Sequence, residues 1–159
     1  MRVYVGIGSN IDRERNVRAA LLELRARFGE LAQSPVYESP AEGFVGEPFF
    51  NLVVGFDTDL PVDALRAQLR EIEVVHGRDP AAHGFVARTL DLDLLLYGEL
   101  VDATLKLPHP DILKYPFVLK PFSELVPTLR HPVAGRALVE LWCDAGLEDG
   151  RLRRVEFAM

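Results

Sequence analysis

An α+β fold, one antiparallel sheet with two helices on one of its faces, is what three features of the sequence predict. Short β-rich runs alternate with two amphipathic helical patterns in a fixed order. Prolines and glycines collect between those runs. In "RTLDLDLLLYG", residues 88–98, leucines and aspartates alternate as they would on a strand with one buried face. The chain has 159 residues, 48% hydrophobic and 26% charged, which suits a single domain, 1–159, with a real core.

Residues 3–8, "VYVGIG", form the first strand. Val17, Ala20, Leu21, Leu24 and Phe28 recur at helical spacing and predict a helix over 13–28. Asn10 or Asp12 is its expected cap, and Gly29 is placed as a C′ glycine. Residues 30–38 read as a second strand, with Pro35 marking an edge or a bulge. The loop 39–48, "SPAEGFVGEP", is long for a link between strands. A third strand follows over 49–57. Pro61 opens a second helix carrying Val62, Leu65, Leu69 and Ile72 on one face. A second long loop, 76–88, leads to the fourth strand. The order strand, helix, strand, strand, helix, strand is the split βαβ, ferredoxin-like pattern βαββαβ. Residues 99–159 form a C-terminal extension, with a short helix near 118–125, another around 137–142 in which Trp142 and Cys143 are packed, and a polar tail.

Alternation assigns the faces. Leu90, Leu92, Leu94 and Leu96 belong to one side of the fourth strand, with Asp91, Asp93, Leu95 and Tyr97 on the other. In the third strand Phe50, Leu52, Val54 and Phe56 take the core parity, and Phe49 and Asn51 the opposite one. The helices cover the leucines, so the site is expected on the other face, bordered by the two long loops. Paired carboxylates there suit magnesium, which accepts one or two carboxylates together with substrate phosphates; a solvated strand face is the alternative, although aspartate is disfavoured in strands. Arg78, Arg88 and His109 are candidate phosphate partners. For His109, in "LPHP", a structural role in the turn is the competing reading, and for Phe49 and Phe117 it is core packing. "GIGSN" is neither a Walker A loop nor a dinucleotide fingerprint.

The net charge of −6 argues against nucleic acid but leaves anionic small molecules open. The chain has no apolar run long enough for a membrane span and no signal-peptide layout. A lone cysteine, Cys143, excludes an intrachain disulfide. A cytoplasmic monomer acting on small molecules is the expectation.

Five segments in order resemble the 6-hydroxymethyl-7,8-dihydropterin pyrophosphokinase family of folate biosynthesis. They are "GIGSN", "YESPAEGFVGEPFFN", "IEVVHGR", "RTLDLDLLLYG" and "LPHPDILKYPFVLKPFSELVP", spread over about residues 3–127. The resemblance implies a ferredoxin-like fold and transfer of pyrophosphate from ATP, the co-substrate, to the pterin hydroxymethyl group, with release of AMP. It implies two Mg2+ ions on Asp91 and Asp93. It implies phosphate contacts from Arg78, Arg88 and His109, with Arg78, Arg88, Asp91 and Asp93 as the catalytic set. Backbone at Leu105 to Leu107 would meet adenine. Phe49 and Phe117 would sandwich the pterin, Asn51 would bond its edge, and Ser39, Pro40 and Glu42 would line its pocket. Glu73 matches the family's second-helix glutamate.

Three features depart from the pattern. Tyr115 stands where the family carries an arginine, with Lys114 adjacent as a partial substitute in the ATP site. Val86-Ala87 replaces Gly-Pro, and Pro80 replaces a loop arginine found in some members. These changes imply weaker phosphate binding, because each charge-assisted hydrogen bond contributes roughly 1.5–3 kcal/mol. They also define the alternative: a non-catalytic or altered-substrate paralogue that binds a pterin or a nucleotide.

Overall fold

The structure is a computed structural model of the chain, and it describes residues 1–40, 47–76, 90–145 and 152–157. The elements follow in the order β1 (Arg2–Ser9), α1 (Arg13–Phe28), β2 (Ala32–Gln33), β3 (Val36–Ser39), β4 (Phe49–Asp57), α2 (Val62–Val75), β5 (Asp91–Tyr97), α3 (Asp111–Lys114), α4 (Pro116–Leu125), α5 (Leu138–Asp144) and β6 (Arg153–Val155). The sheet runs β5-β1-β4-β3-β6, with β2 also pairing β4, and every pairing is antiparallel.

The predicted second strand is two short strands, β2 and β3. Ser34 and Pro35 divide them, since proline has no N–H to give a ladder. The Ser34 hydroxyl repairs the gap by accepting the Val53 N–H at 2.8 Å. Helix α1 spans the predicted residues and Gly29 closes it at φ 87°, a conformation open to glycine. The predicted side-chain cap is absent: Asp12 occupies the N-cap position at φ 43° without capping, and bonds Arg15 at 3.3 Å instead.

One core lies between the sheet and helices α1 and α2. Val3, Val5, Ile7, Phe50, Leu52, Val54, Phe56, Leu92 and Leu94 meet Val17, Leu21, Leu24, Leu65, Leu69 and Ile72. A second cluster covers part of the opposite face. There Tyr4, Val53, Leu95 and Leu96 pack against Ile112, Leu119, Phe122 and Leu138 from α3, α4 and α5. The expected open face is therefore open only toward one end.

Leu96 is a correction. It lies with Leu95 in the second cluster, not beneath α1 and α2, while Tyr97 packs against the first core. The register between β1 and β5 shifts at Tyr4/Val5, so Val5 faces Leu94 and Tyr4 faces Leu96. One inserted residue inverts the parity of everything beyond it. Asp91 and Asp93 precede the shift and keep the predicted face.

The tail forms a sixth strand, β6, paired with β3. Trp142 packs against the second cluster, whereas Cys143 is exposed, contrary to expectation. Among the described residues, no helix is long and apolar enough to cross a membrane.

Candidate active site

A single rung across four strands forms the floor of the site. Asp91 on β5 faces Gly8 on β1, Gly8 faces Asn51 on β4, and Asn51 faces Tyr37 on β3. Asp93 faces Gly6 in the same way. Partners in an antiparallel ladder project from the same face, so the glycines keep the space between carboxylates and amide clear. A Cβ at Gly8 would come within 3.2 Å of Asn51 Oδ1 and 3.9 Å of the Phe49 ring. Asn51 is buried, and its Nδ2 donates to Ser39 Oγ at 2.6 Å, which aims Oδ1 toward Gly8. Ser39 is buried opposite the half-buried Phe49, and half-buried Pro40 follows it. Sequence reading missed Gly6 and Gly8 as a floor; the signal was their alternation within β1, legible only once β1 is known to lie between β5 and β4.

The acidic end is crowded. One carboxylate oxygen each from Asp93 and Asp111 and one ring nitrogen of His109 lie within 4.8 Å of one another. Burial pushes the Asp93 carboxyl well above the ordinary carboxylate range, and Asp91, Glu73 and Asp111 add to the shift. His109 donates its backbone N–H to Leu95 O at 2.9 Å, which ties the turn to β5. Its Nδ1 accepts the Asp111 N–H at 3.1 Å and lies 3.9 Å from Asp111 Oδ2. Desolvation lowers the His109 pKa, and Asp111 partly offsets this. The neutral ring so oriented keeps its proton on Nε2.

A cleft of about 300 Å³ opens beside this cluster, between α2 and the loop after β5. Arg66, Arg70 and Glu73 line it from the helix, and Thr104, Leu105, Lys106 and His109 from the other side. Asp102 shapes the loop, with Oδ1 accepting the N–H groups of Thr104 at 2.9 Å and Leu105 at 3.3 Å. Leu107 turns its side chain into the core and pairs its backbone with Asp102. Glu73 is buried, and its Oε2 accepts the Leu92 N–H at 2.7 Å. That bond satisfies a donor on the edge strand β5, which otherwise needs a partner. Asp111, Arg66 and Lys106 went unread in the sequence. Arg66, Arg70 and Glu73 share a helix face at spacings of four and three, but nothing local says that this face meets a cleft.

Tyr115 stacks on Phe117, centroids 4.9 Å apart and planes 21° apart, and the Lys114 ammonium lies 5.1 Å from the Tyr115 ring centre. The position of the missing arginine thus holds an aromatic pair with an exposed cation beside it. Glu42, Arg78 and Arg88, with Pro80 and Val86-Ala87, lie outside the described residues.

The family model for 7,8-dihydro-6-hydroxymethylpterin-pyrophosphokinase (HPPK) matches residues 4–127. The 2-amino-4-hydroxy-6-hydroxymethyldihydropteridine pyrophosphokinase of Pseudomonas aeruginosa is 44% identical over 147 residues, covering 88% of this chain and 89% of that protein. The enzyme of the same name from Aquifex aeolicus is 34% identical over 142 residues, 87% of this chain and 88% of its own. Among solved structures, an HPPK-DHPS in complex with substrates superposes with a TM-score of 0.76 at 11% identity, over 96% of this chain. This chain spans 46% of that one, and at such identity the likeness concerns the fold alone. The match over 4–127 contains both aspartates, the Gly8–Asn51 floor and His109, and it is supported by relatives above 30% identity across most of the chain: the chain belongs to the 7,8-dihydro-6-hydroxymethylpterin-pyrophosphokinase family.

Proposed function

We propose that this chain is a single-domain, monomeric, cytoplasmic enzyme that transfers the β,γ-pyrophosphoryl group of ATP to 6-hydroxymethyl-7,8-dihydropterin. The hydroxymethyl oxygen gives up its proton and bonds to the β-phosphorus, the bond from that phosphorus to the α,β-bridging oxygen breaks, and AMP leaves. The observation that carries this reading is the rung joining Asp91, Gly8 and Asn51, with Asp93 one step along the strand. It sets a carboxylate pair and a polar, glycine-floored slot side by side on one face.

The slot suits the pterin. Phe49 and Phe117 offer ring faces to a flat heterocycle. Asn51, held by Ser39, presents an amide edge for complementary hydrogen bonds. Ser39 and Pro40 wall the pocket, and the family resemblance assigns Glu42 to pterin binding as well. The cleft beside α2 suits ATP, with backbone at Leu105 to Leu107 for the adenine and His109 Nε2 as a phosphate donor. Lys114 supplies a point charge where an arginine fork is missing. Arg78 and Arg88 hold the remaining phosphate charge.

Two Mg2+ ions fit the donor set. Asp91 and Asp93 are hard oxygen ligands, and Asp93 is crowded enough by burial and neighbouring carboxylates that its charge calls for a cation. Magnesium there would neutralise phosphate oxygens and make the pterin hydroxyl easier to deprotonate. The protein's own part is positional: a rigid central sheet holds acceptor and carboxylates in fixed register, and His109 adds a donor where charge develops.

An omission series tests the reading. Protein, ATP, Mg2+ and 6-hydroxymethyl-7,8-dihydropterin are combined, each is withheld in turn, and AMP is measured. AMP that requires all four is the expected result. Pterin binding without AMP would assign the chain to a binding module in which the Tyr115 position has cost turnover.

A further inference from the structure

One arginine behind the pterin-side rung joins both stems of segment 40–48. Glu38 faces Phe50 across β3 and β4, one step from the Ser39–Phe49 pair. By alternation its side chain lies on the helix side of the sheet, opposite Ser39. Arg13, the first residue of α1, brings Nη2 to 2.8 Å from Glu38 Oε2 on the outgoing stem. Its Nη1 donates to Pro48 O at 3.0 Å on the returning stem. The same guanidinium lies 3.9 Å over the Phe50 ring centre. Asn10 adds a bond from Nδ2 to Glu47 O at 3.0 Å, and Arg153 on β6 donates to Glu38 Oε1 at 3.1 Å.

The Arg13 and Glu38 side chains are 28% and 19% exposed, so this pair is more shielded than the surface pairs that contribute little. A planar fork with one arm on each stem fixes their separation, which a lysine's single point charge does not. The two stems carry Ser39 on one side and Phe49 and Asn51 on the other. We infer that Arg13, through Glu38 and the Pro48 carbonyl, is a positioning residue that sets the spacing of the Ser39–Asn51–Phe49 edge and so the affinity for the pterin. The inference rests on the proposed function for the identity of that ligand.

Binding of 6-hydroxymethyl-7,8-dihydropterin and of the non-transferable analogue α,β-methylene-ATP is measured separately, with Mg2+, on wild type, Arg13→Met, Arg13→Lys and Glu38→Gln. Arg13→Met and Glu38→Gln are expected to weaken the pterin about tenfold, the low end for a charge-assisted hydrogen bond. Analogue affinity stays unchanged, and Arg13→Lys falls between wild type and Arg13→Met. If Arg13→Met does not fold, the near-isosteric Glu38→Gln carries the test alone. Unchanged pterin affinity in these variants, or equal weakening of both ligands together with a fall in Tm, would overturn the positioning role. A wild-type protein that binds the analogue but no pterin would instead overturn the proposed function, and this inference with it.

Discussion

Asp91 and Asp93 interrupt an apolar strand because the strand serves two faces at once. Leu92 and Leu94 are buried beneath the helices, while the carboxylates face Gly8 and Gly6 across the ladder. Replacing Asp93 by alanine removes no core contact, so Asp93→Ala is expected to keep its Tm. It should lower turnover by roughly 10²–10³-fold, the scale of losing one preorganised electrostatic stabiliser. Parallel thermal melts and AMP assays check this; an active Asp93→Ala would remove the metal role. Tyr115 gives a second prediction. Tyr115→Arg should tighten ATP by up to about tenfold, since it restores a bidentate donor. Titration with α,β-methylene-ATP reads the change. No gain, with a loss in Lys114→Ala, would show that the ammonium beside the Tyr115 ring already supplies that contact. The face that these aspartates take was legible in the sequence, because alternation along a strand is a local property. The neighbourhood of Asp93, His109 and Asp111 was not, since it depends on a turn folding back onto β5.

At the scale of elements, the two helices and the strand order follow from periodicity, but register does not. The shift at Tyr4/Val5 sends Leu96 to the second cluster, and no property of β5 alone announces it. Tyr4 explains another silent position. Its ring is buried and packs 5.1 Å from Phe122, and a Cβ on Gly55 would fall 2.6 Å from Tyr4 Cε1. Gly55→Ala is therefore expected to destabilise the protein by about 1–3 kcal/mol, the usual cost of overpacking. Urea unfolding measures it, and an unchanged midpoint would show that the ring can move aside. The turn before α5 makes a pH prediction. His131 is buried, and its Nδ1 accepts the N–H groups of Val133 at 3.2 Å and Ala134 at 3.1 Å. Burial lowers its pKa, so the unfolded chain takes up the proton first. The stability this neutral ring contributes is present above about pH 6.5, the ordinary histidine value, and is lost as the pH falls below it. His131→Asn keeps an acceptor in the turn without titrating. Its stability should fall less between pH 7.5 and 5.5 than that of the wild type. Equal losses in urea titrations would contradict the assignment.

Across the whole molecule, the sheet divides two tasks between its faces. One face is sealed by α1 and α2. The other is half sealed by α3, α4 and α5, and the unsealed end holds the aspartates, Asn51 and Phe49. The second helical layer was only partly readable: α4 and α5 were expected, but a cluster around Tyr4, Leu95 and Phe122 depends on residues far apart in sequence. The tail read only as polar because β6 is three residues long and forms only by pairing with β3. Pyrophosphoryl transfer at the open end would leave AMP, whereas transfer of a single phosphoryl group would leave ADP. Phosphorus-31 NMR of a reaction with ATP, Mg2+ and 6-hydroxymethyl-7,8-dihydropterin distinguishes the two. AMP together with a coupled pair of phosphorus resonances on the pterin is the expected result. ADP with a single pterin phosphate, or unchanged ATP, would rule out pyrophosphoryl transfer.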